Sequence, residues 1–413
     1  SFQGPEKLEN FKQELEAWIL HSKAQRYNGK AAPQLALVSP IAFEDLSEIK
    51  DVPNGKLENE NLLRYTEAME EVAKKHQVVF VDAFTPSKKW YASTDEPLTI
   101  DGSQLTEQGY EKLAVLLADK VFGKESPKAE ANKDLIQKAV LEKNWFWNND
   151  YKIPNGVHVF GRRYDPFGPD NYPFELEKIR QMTAIRDTAI WEASQGKVKD
   201  LQAADAKTKA LPEVTTNYNP EANGSLTYLY GEDALKTMKV PEGYKIDLFA
   251  SEEEFPDLAN PVQISFDNKG RLWVATMPSY PHYKPGDKRP ADKLIILEDT
   301  NNDGKADKQT TFADDLHIPV GFEIAAEGVY VSQGNNLVLL VDENGDDKAD
   351  RKEVLLSGFD DHDTHHAISA FAADESGAIY MAEGVFLHTN VETSYGPVRG
   401  TNGGFYRYEP KRH

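Results

Sequence analysis

The stretch Asp360-Asp361-His362-Asp363-Thr364-His365-His366 sets three imidazoles among carboxylates. An imidazole titrates near neutrality. With a carboxylate to orient it, it serves as a general base or a metal ligand. His362, His365 and His366 are therefore candidates for removing a substrate proton, or for holding a metal or a quinone cofactor. The alternative for the same residues is a hydrogen-bonded loop that packs one part of the fold on another. His388, Tyr395 and Arg399 follow in the next loop and are expected to face the same cavity.

Two further segments carry oxygen ligands at matched spacing. Asp299, Asn301, Asp303 and Asp307 stand at positions 1, 3, 5 and 9 of one loop, and Asp342, Asn344, Asp346 and Asp350 at the same positions of the other. Lys305 and Lys348 occupy position 7, where a backbone carbonyl can serve. This is the oxygen order of a Ca²⁺ loop, although neither segment has Glu at position 12. The alternative is a pair of Asp- and Asn-rich turns without metal. Position 6 is Gly304 in the first loop and Asp347 in the second, so the first is expected to hold its ion more firmly. The loops recur after roughly 40–45 residues, a repeat period.

Around these loops the hydrophobic pattern changes along the chain. Residues 1–123 read as α/β. Leu8, Phe11, Leu15, Trp18 and Ile19 mark one helical face, and Leu62 to Ala73 a second helix. Leu35–Val38 and Val78–Asp82 read as buried strands. A last helix from Glu107 to Phe122 turns Tyr110, Leu113, Leu116 and Leu117 toward a core. Alternating strands and helices imply a parallel sheet, and a sheet of two strands predicts further strands upstream. Residues 124–230 form a helical connector and linker. It holds a charged helix up to Lys143, the aromatic patch Trp145-Phe-Trp147, a Gly161-Arg-Arg163 motif, and a helix from about Pro173 to Gly196. From 231 to 413 short strands bounded by Gly, Asp and Asn recur four per repeat, which is the signature of β-propeller blades. Fewer blades are visible than a closed propeller needs, so more are expected beyond.

The net charge of −21 disfavours nucleic acid as a partner. With no cysteine, disulfides, thiolate metal sites and cysteine nucleophiles are excluded within this stretch. No apolar run is long enough to span a membrane.

Two resemblances extend this reading. Thr99-Ile-Asp101-Gly-Ser-Gln104-Leu-Thr106 before the last N-terminal helix resembles the closing Asp-x-x-His block of the SGNH/GDSL hydrolases. This implies a flavodoxin-like α/β fold for residues 1–123. Asp101 matches the triad acid, but Gln104 stands where the family has its His base. The nucleophile block is not in the chain, and no base stands near Ser103, so the esterase machinery is not carried over. Gly270-Arg-Leu-Trp-Val-Ala275, Gly321-Phe-Glu-Ile, Asp363-Thr-His-His366, Asn402-Gly-Gly-Phe-Tyr-Arg-Tyr408 and the acidic turns resemble a second family. These are the "membrane-bound dehydrogenase" propellers of planctomycetes and Bacteroidetes, related to sorbosone and soluble glucose dehydrogenases. That resemblance implies an exported sugar or alcohol oxidoreductase acting in the periplasm or at the cell surface. It also implies pyrroloquinoline quinone as cofactor and a cytochrome or outer-membrane protein as partner. Under it, His365 or His366 is the base and His388 and Arg399 are cofactor contacts.

The leading expectation is thus a quinone-dependent dehydrogenase-type propeller, stapled by Ca²⁺ and fused to an inactive SGNH-like domain. An SGNH-type carbohydrate esterase or deacetylase, and a non-catalytic glycan- or protein-binding scaffold, are the alternatives.

Overall fold

The computed structural model describes residues 4–123, 132–160, 168–213, 219–224 and 228–412. The Gly161-Arg-Arg163 motif and the expected start of the connector helix lie outside them. The chain divides into two compact units. One is Ser1–Lys128 with Thr393–Pro397 and Pro410–His413, and the other is Ala129–Glu392 with Val398–Glu409.

The first unit is mainly helical, with a small parallel sheet. Strands β1 (Ala36–Val38) and β2 (Val79–Val81) pair in parallel. Helices α1 (Leu8–Ala24) and α2 (Lys56–Lys75) place Ile19, Val72 and Ala73 against Leu37 in its core. Trp18 is half exposed, so the predicted face of α1 is narrower than its apolar residues suggest. A short helix α3 (Phe84–Tyr91) follows β2 and has no amphipathic stretch long enough to announce it. Helix α4 (Glu107–Phe122) is capped by the Thr106 hydroxyl, which accepts from the Gly109 amide. Tyr110 is exposed rather than turned to the core.

The second unit opens with a helix pair. Helix α5 (Lys133–Tyr151) runs past the aromatic patch instead of stopping at Lys143, and α6 (Gly168–Ser194) begins before Pro173. Phe146, Ile179, Met182 and Tyr283 share their core. Buried Arg186 lies 3.7 Å over the Phe146 ring and pairs with Glu142 and Asp205.

The rest of this unit is all-β and blade-like. Strands β3 (Pro261–Phe266), β4 (Leu272–Thr276), β5 (Asp292–Glu298) and β6 (Lys308–Leu316) form one four-stranded antiparallel sheet in sequence order. Strands β7 (Phe322–Ala325), β8 (Gly328–Gln333), β9 (Asn336–Val341) and β10 (Arg351–Ser357) repeat it. Strands β11 (Ser369–Ala373), β12 (Ile379–Glu383) and β15 (Gly404–Tyr408) make a third sheet, and β13 (Asn390–Thr393) pairs with β14 (Gly396–Arg399).

Alternation along the strands explains the stacking. Leu294 and Ile296 of β5 join Val329 and Val331 of β8 and Val338 and Leu340 of β9 in one core. Ile295 and Leu297 turn to the other face, under Phe249, Ala250 and Phe255. Tyr330, Leu337 and Leu339 turn from the second sheet toward Phe371 and Met381 of the third and Ile368 just before it. A sheet covered on both faces needs apolar residues at successive positions, which is why β5 and β9 read as continuous runs.

Candidate functional site at the histidine-bearing end

In an antiparallel meander, successive connections lie at opposite ends of the sheet. The β5–β6 and β9–β10 connections, which are the acidic loops, share an end with β3–β4. The β4–β5, β6–β7 and β10–β11 connections share the other. Cross-sheet contacts follow this division. Arg271 of β3–β4 reaches Asp347 of β9–β10, and Tyr280 of β4–β5 reaches His365 of β10–β11. The acidic loops and the histidines therefore belong to opposite ends.

The two acidic loops are wired alike. Asp299 accepts from the amides of Asp303 (3.1 Å) and Gly304 (2.8 Å), and Asp342 from those of Asp346 (3.3 Å) and Asp347 (2.9 Å). Asn301 and Asn344 each accept from the residue two positions on, both at 2.9 Å. Ala306 donates to the Phe249 carbonyl and Ala349 to that of Phe312, both at 2.8 Å, so equivalent residues dock both loops. Gly304 and Asp347 both take left-handed backbone, with φ of 89° and 64°. The strain expected at Asp347 is offset by a two-pronged bond from Arg271, at 2.7 and 3.0 Å. Each amide-bound carboxylate oxygen keeps a second lone pair, so the donor set Asp299, Asn301, Asp303, Asp307 and its counterpart Asp342, Asn344, Asp346, Asp350 suits a hard cation.

At the opposite end, a single turn of 3-10 helix (Thr364–His366) carries the histidines. Asp363 is fully buried. Its Oδ1 lies 2.8 Å from His365 Nδ1 and its Oδ2 3.2 Å from His366 Nδ1. The two rings sit 4.2 Å apart, tilted by 45°. Among the described residues these three form the group of His and carboxylate side chains whose ligand atoms all lie within 4.8 Å of one another. The turn is held from several sides. The Thr364 amide donates to Asn155 Oδ1 (2.7 Å), Asn155 donates to the Pro281 carbonyl (2.6 Å), and the Gly384 amide donates to the His366 carbonyl (2.8 Å). A Cβ on Gly384 would stand 2.6 Å from the His366 ring, so only glycine leaves room for that imidazole.

Residues 231–413 match the model of a family described as Domain of unknown function (DUF7133). The chain is similar to a calcium-binding protein, regucalcin, from Agrobacterium tumefaciens str. C58 at 17% identity. That similarity spans 36% of this chain and 45% of that one, with a TM-score of 0.23. It is also similar to a luciferin-regenerating enzyme at 14% identity, over 34% of this chain and 45% of that one, again with a TM-score of 0.23. The chain thus spans under half the length of these solved structures. No curated protein matches it.

Further groups join this end that the sequence reading did not single out. His282 Nε2 lies 2.8 Å from Glu175 Oε2 of α6, and the Tyr172 ring lies 5.4 Å from that imidazole, tilted by 56°. Burial, reinforced by Glu175, pushes the Tyr172 hydroxyl up to about 12 and keeps it a neutral donor. Asp292, fully buried, accepts from the amides of Ser279 (3.0 Å) and Ile318 (2.8 Å). The signal for these residues is the long β4–β5 connection, where Tyr280, Pro281 and His282 interrupt a blade that otherwise turns tightly.

Other expected site residues fall elsewhere. His362 packs its ring on Gly156 while its carbonyl accepts from Val157 (3.0 Å), so it props the loop instead of joining Asp363. His388 is exposed, and its amide donates to Asp360. Arg399 is also exposed and donates to Asn390 Oδ1 (2.8 Å). Tyr395 belongs to the first unit, where its hydroxyl donates to the Asp51 carbonyl (2.6 Å). Asp101 is buried, and its carboxylate accepts from the amides of Ser103 and Gln104 (2.8 Å each) and from the Ser103 hydroxyl. That wiring closes a turn and leaves the Ser103 oxygen bonded to an acid rather than to a base.

His317 stands in the β6–β7 connection with Nε2 buried and unbonded. Burial holds its pKa below the ordinary 6.5; Asp292 opposes this and His282 adds to it. The unfolded chain takes up this proton near pH 6.5, whereas the native protein does so only at lower pH. The stabilisation is therefore complete above about pH 6.5 and is lost as pH falls toward the native value. A His317→Gln variant should flatten the decline in urea midpoint between about pH 7 and pH 5.

Proposed function

We propose that residues 231–413 form blades of a β-propeller that activates a hydroxyl group of a small carbohydrate or polyol at the histidine-bearing end. The observation that carries this reading is the buried Asp363 carboxylate set against both imidazoles. Such a carboxylate fixes each ring and favours withdrawal of a proton from a bound hydroxyl. Removing that proton is the first step of alcohol oxidation, which fits the oxidoreductase expectation. The resemblance to dehydrogenase propellers supports an exported, carbohydrate-processing role.

Pyrroloquinoline quinone is a tricarboxylate and needs cationic partners. The connections and adjoining strand ends here carry Asp292, Asp360, Asp361, Asp363 and Glu383, with Glu175 of α6 against His282, and the β4–β5 connection adds Lys284, Lys288 and Arg289, the last paired with Glu142. Arg399 is taken by Asn390. Among the described residues, no cluster of Lys and Arg side chains gathers at the Asp363 turn, so they do not suit that cofactor.

The test incubates the full chain with a panel of aldoses and polyols and an artificial two-electron acceptor dye. Dye reduction with at least one member is expected. No reduction with any of them would overturn the reading.

Both acidic loops fit Ca²⁺ as a structural ion, held by Asp299, Asn301, Asp303, Asp307 and the Lys305 carbonyl, and by Asp342, Asn344, Asp346, Asp350 and the Lys348 carbonyl. Ca²⁺ at a hundred times its Kd should raise stability by about 2.7 kcal/mol per site. Calorimetry with Ca²⁺ and then with EGTA reads this directly. Asp299→Ala together with Asp303→Ala should remove the share of the first loop.

A further inference from the structure

We propose that Asn344, in the second acidic loop, modifies itself, converting to aspartate or isoaspartate through a cyclic imide formed with Gly345. This goes beyond the hydroxyl-activation reading. It rests on the calcium reading only for what the conversion does to a bound ion.

The surroundings of this asparagine–glycine pair carry the assignment. The Gly345 amide donates to Asp342 Oδ1 at 2.7 Å, so a carboxylate faces the proton of the nitrogen that must attack. The Asn344 side-chain carbonyl accepts from the Asp346 amide at 2.9 Å, a donor placed where negative charge develops on that oxygen. The Asn344 side-chain nitrogen, which must depart, donates to Asp350 Oδ1 at 3.1 Å. Both residues of the pair are exposed, and a Cβ on Gly345 would meet nothing within 4 Å. The attacking nitrogen is therefore uncrowded and open to water.

In the first step the bond from Gly345 N to Asn344 Cγ forms while Cγ–Nδ2 breaks. The Gly345 proton passes by way of Asp342 to the departing nitrogen, which leaves as ammonia. Water then opens the imide. Attack at Cγ gives aspartate, and attack at the Asn344 main-chain carbonyl carbon gives isoaspartate, which has one more carbon in the main chain. Nothing is oxidised or reduced.

Other asparagines of the chain supply the contrast. In the first loop Asn301 is followed by Asn302, whose side chain crowds the attacking nitrogen. Asn155 and Gly156 are buried, and both ends of the Asn155 amide are bonded, to Thr364 and to Pro281. Asn28 and Gly29 are exposed, but Gly29 gives its amide to the Arg26 carbonyl at 2.8 Å and not to a carboxylate. Aspartate at position 344 would put a carboxylate at each of positions 1, 3, 5 and 9 of the loop, and ligand charge raises affinity for Ca²⁺. Isoaspartate would push the later ligands out of register.

The experiment incubates the full chain at neutral pH in EGTA and follows each asparagine by peptide mass spectrometry, with enzymatic methylation to score isoaspartate. Asn344 should convert about 10-fold or more faster than Asn28, a small share of what a positioned acid–base group can supply. Asp342→Asn should bring Asn344 down to the rate of Asn28, and Gly345→Ala should slow it as well. No conversion at Asn344, a rate no higher than that of Asn28, or a rate unchanged in Asp342→Asn would overturn the proposal. Excess Ca²⁺ should slow conversion by drawing the Asn344 side-chain oxygen onto the ion and away from the Asp346 amide. Fast conversion at equal rates in Ca²⁺ and in EGTA would leave the modification standing and remove the ion from this loop. Calorimetric Ca²⁺ binding without conversion in EGTA would do the reverse.

Discussion

Replacing Arg271 with alanine lowers the stability of the β region by about 3–5 kcal/mol, the cost of breaking a largely buried ion pair from one side. Arg271 bonds Asp267 through Nε at 2.7 Å and Asp347 through both terminal nitrogens. The guanidinium and the Asp267 carboxylate are about nine-tenths buried. Alanine would leave Asp267 charged beside the Trp273 indole N–H with no cation, and would free Asp347 from the contact that offsets its left-handed backbone. A loss of this size corresponds to a melting shift of roughly 6–20 °C for a region of this length. Arg271→Lys keeps the charge without the two-pronged geometry and should fall between parent and alanine.

Acid should erase the difference. Burial pushes the Asp267 carboxyl up, but the Trp273 indole and the Arg271 and Lys269 N–H groups outweigh it and bring it down to about 2. The Arg271 guanidinium likewise holds Asp347 below its ordinary value. Both groups are lowered, so their stabilisation is present above the unfolded value of 3.8 and disappears as pH falls toward about 2. Calorimetry of parent and variant at neutral pH and near pH 2 checks both statements. Equal melting temperatures at neutral pH would show that the arginine does not tie the two sheets.

The second large effect is on turnover. His365→Ala should reduce kcat/KM on a responsive polyol by about 10²–10⁴, the usual share of a positioned acid–base or activating group. Asp363→Asn should cost a similar factor, because an amide cannot accept from two imidazoles as a carboxylate does. His362→Ala should stay within a few-fold, because its ring faces Gly156 and not the Asp363 group. Steady-state kinetics with the acceptor dye separates these outcomes. A His362 variant as damaged as the His365 variant would mean that the loop acts only as a folded unit.

Much of the β region was legible in the sequence, for a local reason. Strands β5 and β9 announce themselves by continuous apolar runs, and the acidic loops by Asp and Asn at fixed offsets. The helical connector was less so. The aromatic residues of α5 read as a break because their partners, Met182 and Tyr283, lie far along the chain. Helix α3 has too few turns to show a period. Asp101 drew attention by its motif, yet its carboxylate is taken up by neighbouring amides, which no motif reveals.

The candidate site divides along the same line. The sequence by itself determined that His362, His365 and His366 share one connection and that the acidic loops fall in two others, since chain neighbours remain neighbours in any fold. Only the tertiary structure decided that His365 and His366 turn to Asp363 while His362 turns away. Tertiary structure also drew in His282, Glu175, Tyr172 and Tyr280, and left Arg399 and His388 outside. The physical reason is that a side chain's direction depends on what packs behind it. For the Asp363 turn those packing partners, Asn155, Gly384 and the β4–β5 connection, come from distant parts of the chain.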